Sequence, residues 1–438
     1  MTPRKMLQLA NLKNILHLTM DYCEKYNVTL CADKTKLLRI SKVAETELEV
    51  MNPISIGGVQ IEFSDCAEHV GILRSADGNL PNLMSRISAH KKALGATLFS
   101  GVAQRHRANP AVGLKVGKIY GTPVLLSGLA SLVLLESELG LLDQHLKQTL
   151  LNIQKLHAKT PDCFVYFFSG CLPARAEIHL RQLSMFGMVA RLCSDPLNIH
   201  ARSVLTEAKK SAKSWFTQIR DLSLLYQLPH PLIILDNPPT KETYKKLVKS
   251  HIFDFWENKL RGEASMLPSL DYCKANFMSL LKPHPIWTTA QGNPHEVSKA
   301  IQQARFLSGR YRTEYLSRHW SDNPQGYCQA DDSCINTTED IKHILLECPA
   351  YVKEKRILIS LWLKTDNITI RNLILEALAN TSDYLMQFIL DCSALPSVIR
   401  ASQSHGKEVL DVLFHLTRTW CFVLHRQRMR LLGRWNFL

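Results

Sequence analysis

Four residues between positions 328 and 348 have the types and the order of a metal-ligand set. Cys328, Cys334, His343 and Cys348 follow the spacing C-x5-C-x8-H-x4-C within YCQADDSCINTTEDIKHILLECPAY. Zn2+ takes four thiolate or imidazole ligands in a tetrahedron, and Cys3His is one of its accepted sets. Four protein ligands leave no open coordination position, so such an ion would be structural. The local sequence offers a way to gather them. Asn336 or Thr337 can cap a helix with Glu339 in its first turn. That helix would turn Ile341, Ile344 and Leu345 to the core and leave His343 on a flank. Pro349 ends it and pushes Cys348 toward extended geometry, which lets the thiol turn back toward His343. The first cysteine pair is wider than the two to four residues of most zinc pairs. The competing reading has His343 as a polar flank residue and the cysteines as small core hydrophobes.

The same stretch contains Ala330-Asp331-Asp332, the letters of a polymerase metal-binding turn. Such a turn needs an apolar strand on each side, to aim two carboxylates at paired cations. Here the flanks are NPQGYCQ and SCINTTED. Adjacent aspartates in this setting read as solvated turn residues.

Phosphate chemistry is the second possibility. The chain carries a formal net charge of +14, which favours an anionic partner. Between Asp77 and Glu136 there is no acidic residue, while Arg86, Lys91, Lys92, Arg105, Arg107, Lys115 and Lys118 all occur. A surface that tracks a nucleic-acid backbone needs cations free of neighbouring carboxylates. In GRYRTEYLSRHW, residues 309–320, Arg310, Arg312 and Arg318 interleave with Tyr311, Tyr315 and Trp320. Guanidinium groups bind phosphates and aromatic faces stack on unpaired bases. HRQRMRLLGRW, residues 425–435, is a third basic stretch. Each of the three has a plainer alternative, a solvated or inward-packed helical face.

The elements that must position these residues are mostly helical. Apolar residues recur at helical spacing over 5–26, from Leu7 to Cys23. Short strand-like runs follow to residue 75, with Gly57-Gly58 and Asp77-Gly78 as turn signals. From about residue 79 the pattern is helical, broken by the proline-rich segments 228–239 and 283–294. The expected class is α+β, mostly α. The run PVLLSGLASLVLL at 123–135 reads as a buried helix, too short to cross a bilayer. No membrane partner and no secretory signal are expected, and 12 cysteines without a regular framework suit a reducing compartment, nuclear or cytoplasmic. No nucleophile elbow, phosphate loop or HExxH pair is present to support a hydrolase.

Several segments together resemble the later part of the reverse transcriptases of non-LTR, LINE-type retrotransposons. YCEKYNVTLCADKTKLLRIS (22–41) is similar to the segment after the catalytic turn, with Lys34-Thr35 matching and Cys31 where an Asn is usual. AEHVGILRS (67–75) resembles the turn that grips the primer end, with Gly71 at its fixed glycine. VGKIYGTPVLLSGLASL (116–132) looks like the thumb, and SGCLPARAEIHLRQLSMFGMVARL (169–192) like the helices after it. TTEDIKHILLECPAY (337–351) is similar to the C-terminal Cys/His segment. The resemblance implies a palm remnant over 1–76, a basic helical thumb over 77–165, a helical connector over 166–295, a basic and aromatic segment with a zinc knuckle over 296–360, and a helical region over 361–438.

It also implies RNA, an RNA–DNA hybrid or target DNA as partners. In the family the lysine matching Lys34 lies near the incoming nucleotide's phosphates. The family's catalytic aspartates sit upstream of the helix that opens this sequence, so no catalytic residue is assigned. Mg2+ is expected only in a full-length parent enzyme, and RNA-directed DNA polymerase activity is not expected of this chain alone. The alternatives are a retroelement-derived helical nucleic-acid-binding or scaffold protein, and a non-functional fragment.

Overall fold

The computed structural model describes residues 3–433, apart from 30, 32–34, 39–54, 57–58, 62, 70, 99–108, 195–204, 206–213, 275–277 and 291–292. Among the described residues the strands come as three short pairs. Cys66–His69 and Ile72–Ser75 form an antiparallel hairpin. Its turn passes through Gly71 at φ 73°, a left-handed backbone that glycine adopts without steric cost. Ser55–Ile56 pairs antiparallel with Val59–Gln60, and Leu37–Leu38 runs parallel to Phe63–Ser64. Helices dominate from Leu80 onward, so the chain is mostly α with a small β component, as its sequence implies.

Two hydrophobic clusters of unequal size result. Leu16, Met20 and Leu37 pack around Ile61 near the N-terminus. The first helix, Pro3–Lys25, leaves Ile15, Leu18, Tyr22 and Tyr26 exposed. A single large core then runs from Leu83 to Leu424.

The apolar run at 123–135 does not form one helix, contrary to expectation. The helix Thr122–Leu126 stops, Gly128 takes a left-handed φ of 75°, and a 3-10 turn at Leu129–Ser131 follows. Glycine at that backbone angle redirects the chain, and Leu125, Leu126, Leu129, Leu132 and Leu134 reach the core from successive short elements.

Two close approaches fix the middle of the molecule. Helix Ala174–Ser194 crosses helix Lys241–Ser265 at Gly187, where an added Cβ would run into the Tyr244 ring. The C-terminal helix, Lys407–Leu431, lies along helix Pro294–Leu307. Gln303 joins that pair to a third helix, donating from Nε2 to the Ile389 carbonyl at 2.7 Å and to Thr417 Oγ1 at 3.0 Å.

Candidate metal centre

The two cysteines nearest the N-terminal side of the site are held by a short backbone clasp. Tyr327 and Thr338 form an isolated antiparallel bridge, and the Cys328 N–H donates to the Thr337 carbonyl at 2.9 Å. Asn336 turns the chain at a φ of 61°. Asp331 accepts from the Ser333 N–H at 2.8 Å, which starts the 3-10 turn Asp332–Cys334. The wide C-x5-C spacing is taken up by that turn, and Asp331 serves as its cap.

The expected helix start at Asn336 or Thr337 is corrected. Those residues are consumed by the turn and the bridge, and Asp340 is the cap, accepting from the His343 N–H at 2.7 Å. Glu339, expected in the first turn, instead precedes the cap and is fully buried.

Beyond that cap the helix is widened. Residues His343–Glu347 form a π-helical turn, with the Cys348 N–H donating to the His343 carbonyl at 2.7 Å. In an α-helix, positions five apart stand about 140° apart around the axis. The π turn, with more residues per turn, brings 343 and 348 toward one side. Cys348 itself is extended, at φ −55° and ψ 124°, as its position before Pro349 requires. Ile344 and Leu345 are fully buried beneath it.

The side chain of Lys355 secures this turn. It is buried, and its Nζ donates to the carbonyls of Leu346 and Cys348 at 2.7 and 2.9 Å. Those carbonyls end the turn, where α-helical partners run out, and the lysine serves both; the Cys348 carbonyl also accepts from the Tyr351 N–H at 3.4 Å. Trp420 Nε1 adds one to the Leu345 carbonyl at 3.2 Å.

All four candidate ligand atoms lie within 4.8 Å of one another. Cys348 Sγ is 3.8 Å from Cys328 Sγ and 3.9 Å from Cys334 Sγ. A disulfide would need about 2.05 Å. Zn–S bonds of about 2.3 Å, by contrast, imply tetrahedral sulfur–sulfur edges of about 3.8 Å. Neither ring nitrogen of His343 has a hydrogen-bond partner of good geometry, although both are buried. A buried polar atom without a partner is costly, and a coordinated cation would satisfy it. The cluster could therefore hold a metal ion.

The electrostatics favour a thiolate at Cys328. The Cys348 hydrogen bond draws the Cys328 thiol down to about 4, outweighing the opposing burial. The same contact pushes Cys348 up, and burial raises Cys334. The neighbouring Cys328 sulfur raises the pKa of His343 against desolvation. The site thus favours one thiolate beside an imidazole that must release its proton to coordinate an ion.

The remaining sequence-derived residues are dispersed. Lys91 and Lys92 are exposed on helix Leu80–Leu98, and Lys115 and Lys118 are exposed on the helical segment 110–121. Arg86 is half-buried, its Nε without a partner. Lys34, Arg105 and Arg107 lie outside the described residues. Arg310 and Arg312 line a common cavity. Arg318 stands 3.9 Å over the exposed Tyr315 ring, and Trp320 is 75% exposed.

Tyr311 is corrected as a base-stacking residue. It is buried, its ring stacks on Phe306 at 3.8 Å between centroids, and its hydroxyl meets His425 Nδ1 at 2.8 Å. No ring face remains for a base. Sequence reasoning also missed Lys355, Glu339 and Arg428, whose partners lie far along the chain or in carbonyl groups that a residue pattern does not show.

No family model, no curated protein and no solved structure matches the chain.

Proposed function

We propose that this chain is a nucleic-acid-binding portion of a LINE-type reverse transcriptase, in which Cys328, Cys334, His343 and Cys348 hold a structural zinc ion. The observation that carries the reading is the convergence of those four side chains, with sulfur edges of 3.8 and 3.9 Å around a buried imidazole whose ring nitrogens lack a hydrogen bond of good geometry. Sulfur and imidazole donors select zinc over magnesium or calcium, which prefer oxygen. Lys91, Lys92, Lys115 and Lys118 come from the acid-free stretch and are exposed. In a thumb they would hold the phosphates of an RNA or RNA–DNA duplex by counterion release. Cysteines kept as free thiols fit a nuclear or cytoplasmic site of action. Asp331 supports no catalytic role, being committed to its own turn, and polymerisation is assigned to a parent enzyme carrying Mg2+ at its aspartates.

Zinc content by plasma emission spectroscopy tests the centre. The parent should carry about one ion per chain, the stoichiometry of one four-ligand site. A Cys334→Ser/His343→Ala variant should carry almost none. Equal zinc in both proteins overturns the centre. Filter binding of an RNA–DNA hybrid between 50 and 200 mM salt, roughly the range over which phosphate contacts weaken strongly, tests the partner. Salt-independent affinity overturns it. Primer extension with dNTP and Mg2+ should give no product.

A further inference from the structure

We infer that a second, separate site lies in this chain: a phosphate-binding pocket built by Arg305, Arg310 and Arg312. A cavity of about 580 Å³ opens where residues 156–158 meet helix Pro294–Leu307, segment 310–312 and the C-terminal helix. Four arginines line it, with His157 and His425. No carboxylate is among the described lining residues.

The four arginines are not equivalent. Arg428 spends its charge on Glu339 and Glu314 behind the wall. Arg305 donates from Nε and Nη2 to the Lys155 carbonyl, both at 3.1 Å, which fixes its guanidinium at the rim. The Arg310 Nε is buried with no hydrogen-bond partner, and Arg312 is exposed at the mouth. Arg310 and Arg312 thus join the anchored Arg305 at a concavity whose described lining supplies no anion to them. That arrangement is unfavourable when left to itself. A phosphate group supplies both the charge and the acceptors, because its oxygens match the guanidinium fork.

Two further features shape the pocket. His157 Nδ1 accepts from the Lys159 N–H at 3.1 Å, leaving Nε2 as a neutral donor. Burial, and then the charges of Arg310, Lys159 and Arg305, hold its pKa down, so it does not itself carry the site's charge. Two residues beyond His157, Lys159 places its ammonium 5.1 Å from the exposed Trp320 ring. An unpaired strand with a phosphate in the pocket would find an aromatic face and a cation close by. The ligand chemistry is therefore a phosphate group, borne by an unpaired polynucleotide or by a small phosphate compound.

The test uses the zinc-loaded full chain, with inorganic pyrophosphate and a 12-nucleotide oligothymidylate as probes. Isothermal titration should show saturable pyrophosphate binding. An Arg310→Gln/Arg312→Gln variant should lose about tenfold or more in affinity, as for removal of charge-assisted bonds. Arg312→Gln alone, at an exposed position, should lose several-fold with an unchanged melting temperature. Lys91→Gln/Lys92→Gln, which removes equal charge on another helix, should stay within about twofold by screening. Displacement of the oligonucleotide by pyrophosphate assigns the pocket to a strand's phosphate. Independent binding of the two assigns it to a small phosphate compound. No saturable pyrophosphate binding, or equal losses in the two double variants, overturns the pocket and leaves the zinc centre untouched.

Discussion

Arg428 and Glu339, 89 residues apart in the chain, form a buried ion pair, with Arg428 Nη2 donating to Glu339 Oε1 at 2.6 Å. Glu339 Oε1 also accepts from the Glu314 N–H at 2.8 Å, and the Glu314 carboxylate lies 3.4 Å from the same guanidinium. The pair ties the C-terminal helix to the strand-like residue that precedes the Asp340 cap. It therefore sets where the π turn, and with it His343 and Cys348, begins.

Breaking one side of that pair should be severe. Arg428→Met leaves Glu339 buried without its partner and should cost about 3–5 kcal/mol in urea unfolding. Arg428→Met/Glu339→Leu should recover only part of the loss, since the buried Glu314 carboxylate still loses its contact with the guanidinium. A double variant no more stable than the single one would show that packing, and not charge, dominates here.

Lys355 should act on the metal through Cys348. Lys355→Met removes a hydrogen bond from each of two carbonyls that end the π turn, and the Leu346 carbonyl, which loses its lysine, should account for about 1–3 kcal/mol, since the Cys348 carbonyl keeps the Tyr351 N–H. Zinc affinity, measured by competition with a chromophoric chelator, should fall about 10–100-fold, as for other groups that orient ligands. Unchanged affinity would show that Cys348 is positioned without it.

Chelation should lower the melting temperature reversibly. Binding to the folded state alone stabilises in proportion to the logarithm of free metal over Kd. Added Zn2+ should restore the melting temperature and added Mg2+ should not, because the donors are sulfur and nitrogen. Identical melting with and without chelator would remove the centre's structural role.

Acid should destabilise the fold before its carboxylates titrate. Burial lowers His90, His179 and His425 to about 4, assisted by His145, by Arg175, and by Arg305 and Arg428 respectively. In the unfolded chain these groups bind protons near pH 6.5, so between about 6.5 and 4 the unfolded state holds more protons. Stability is complete above about pH 6.5 and declines as pH falls toward 4, by up to about 3 kcal/mol per histidine. Metal loss from protonated thiolates adds to this. The histidine share is isolated by comparing the parent with His179→Gln, in which the slope of stability against pH should flatten by about one proton.

Gly187→Ala should destabilise the helix crossing by about 1–3 kcal/mol through overpacking against Tyr244. Gly187→Ala/Tyr244→Leu should relieve it. Equal stability of Gly187→Ala and the parent would mean the two helices can separate freely at this point.

The comparison of sequence with structure divides along a physical line. Sequence alone determined the helical class, because apolar periodicity and proline breaks are local signals. It also picked out the four residues of the cluster that could hold a metal ion, because cysteine, histidine and a following proline announce themselves by type and short spacing. The strand-like run ending at residue 75 was legible in the same way, but its folding into a hairpin at Gly71 was not read from spacing.

Tertiary structure alone decided the rest. The π turn depends on Lys355 and Trp420 satisfying carbonyls that no residue pattern reveals. Tyr311 was lost to the core because Phe306 and His425 cover it, and a tyrosine's face is assigned by its neighbours and not by its own type. The segment 310–312 met Arg305 and residues 156–158 only through packing of the long helices. Charge and ligand identity are carried by single residues, whereas burial, partnering and cavity shape are properties of pairs brought together across the chain.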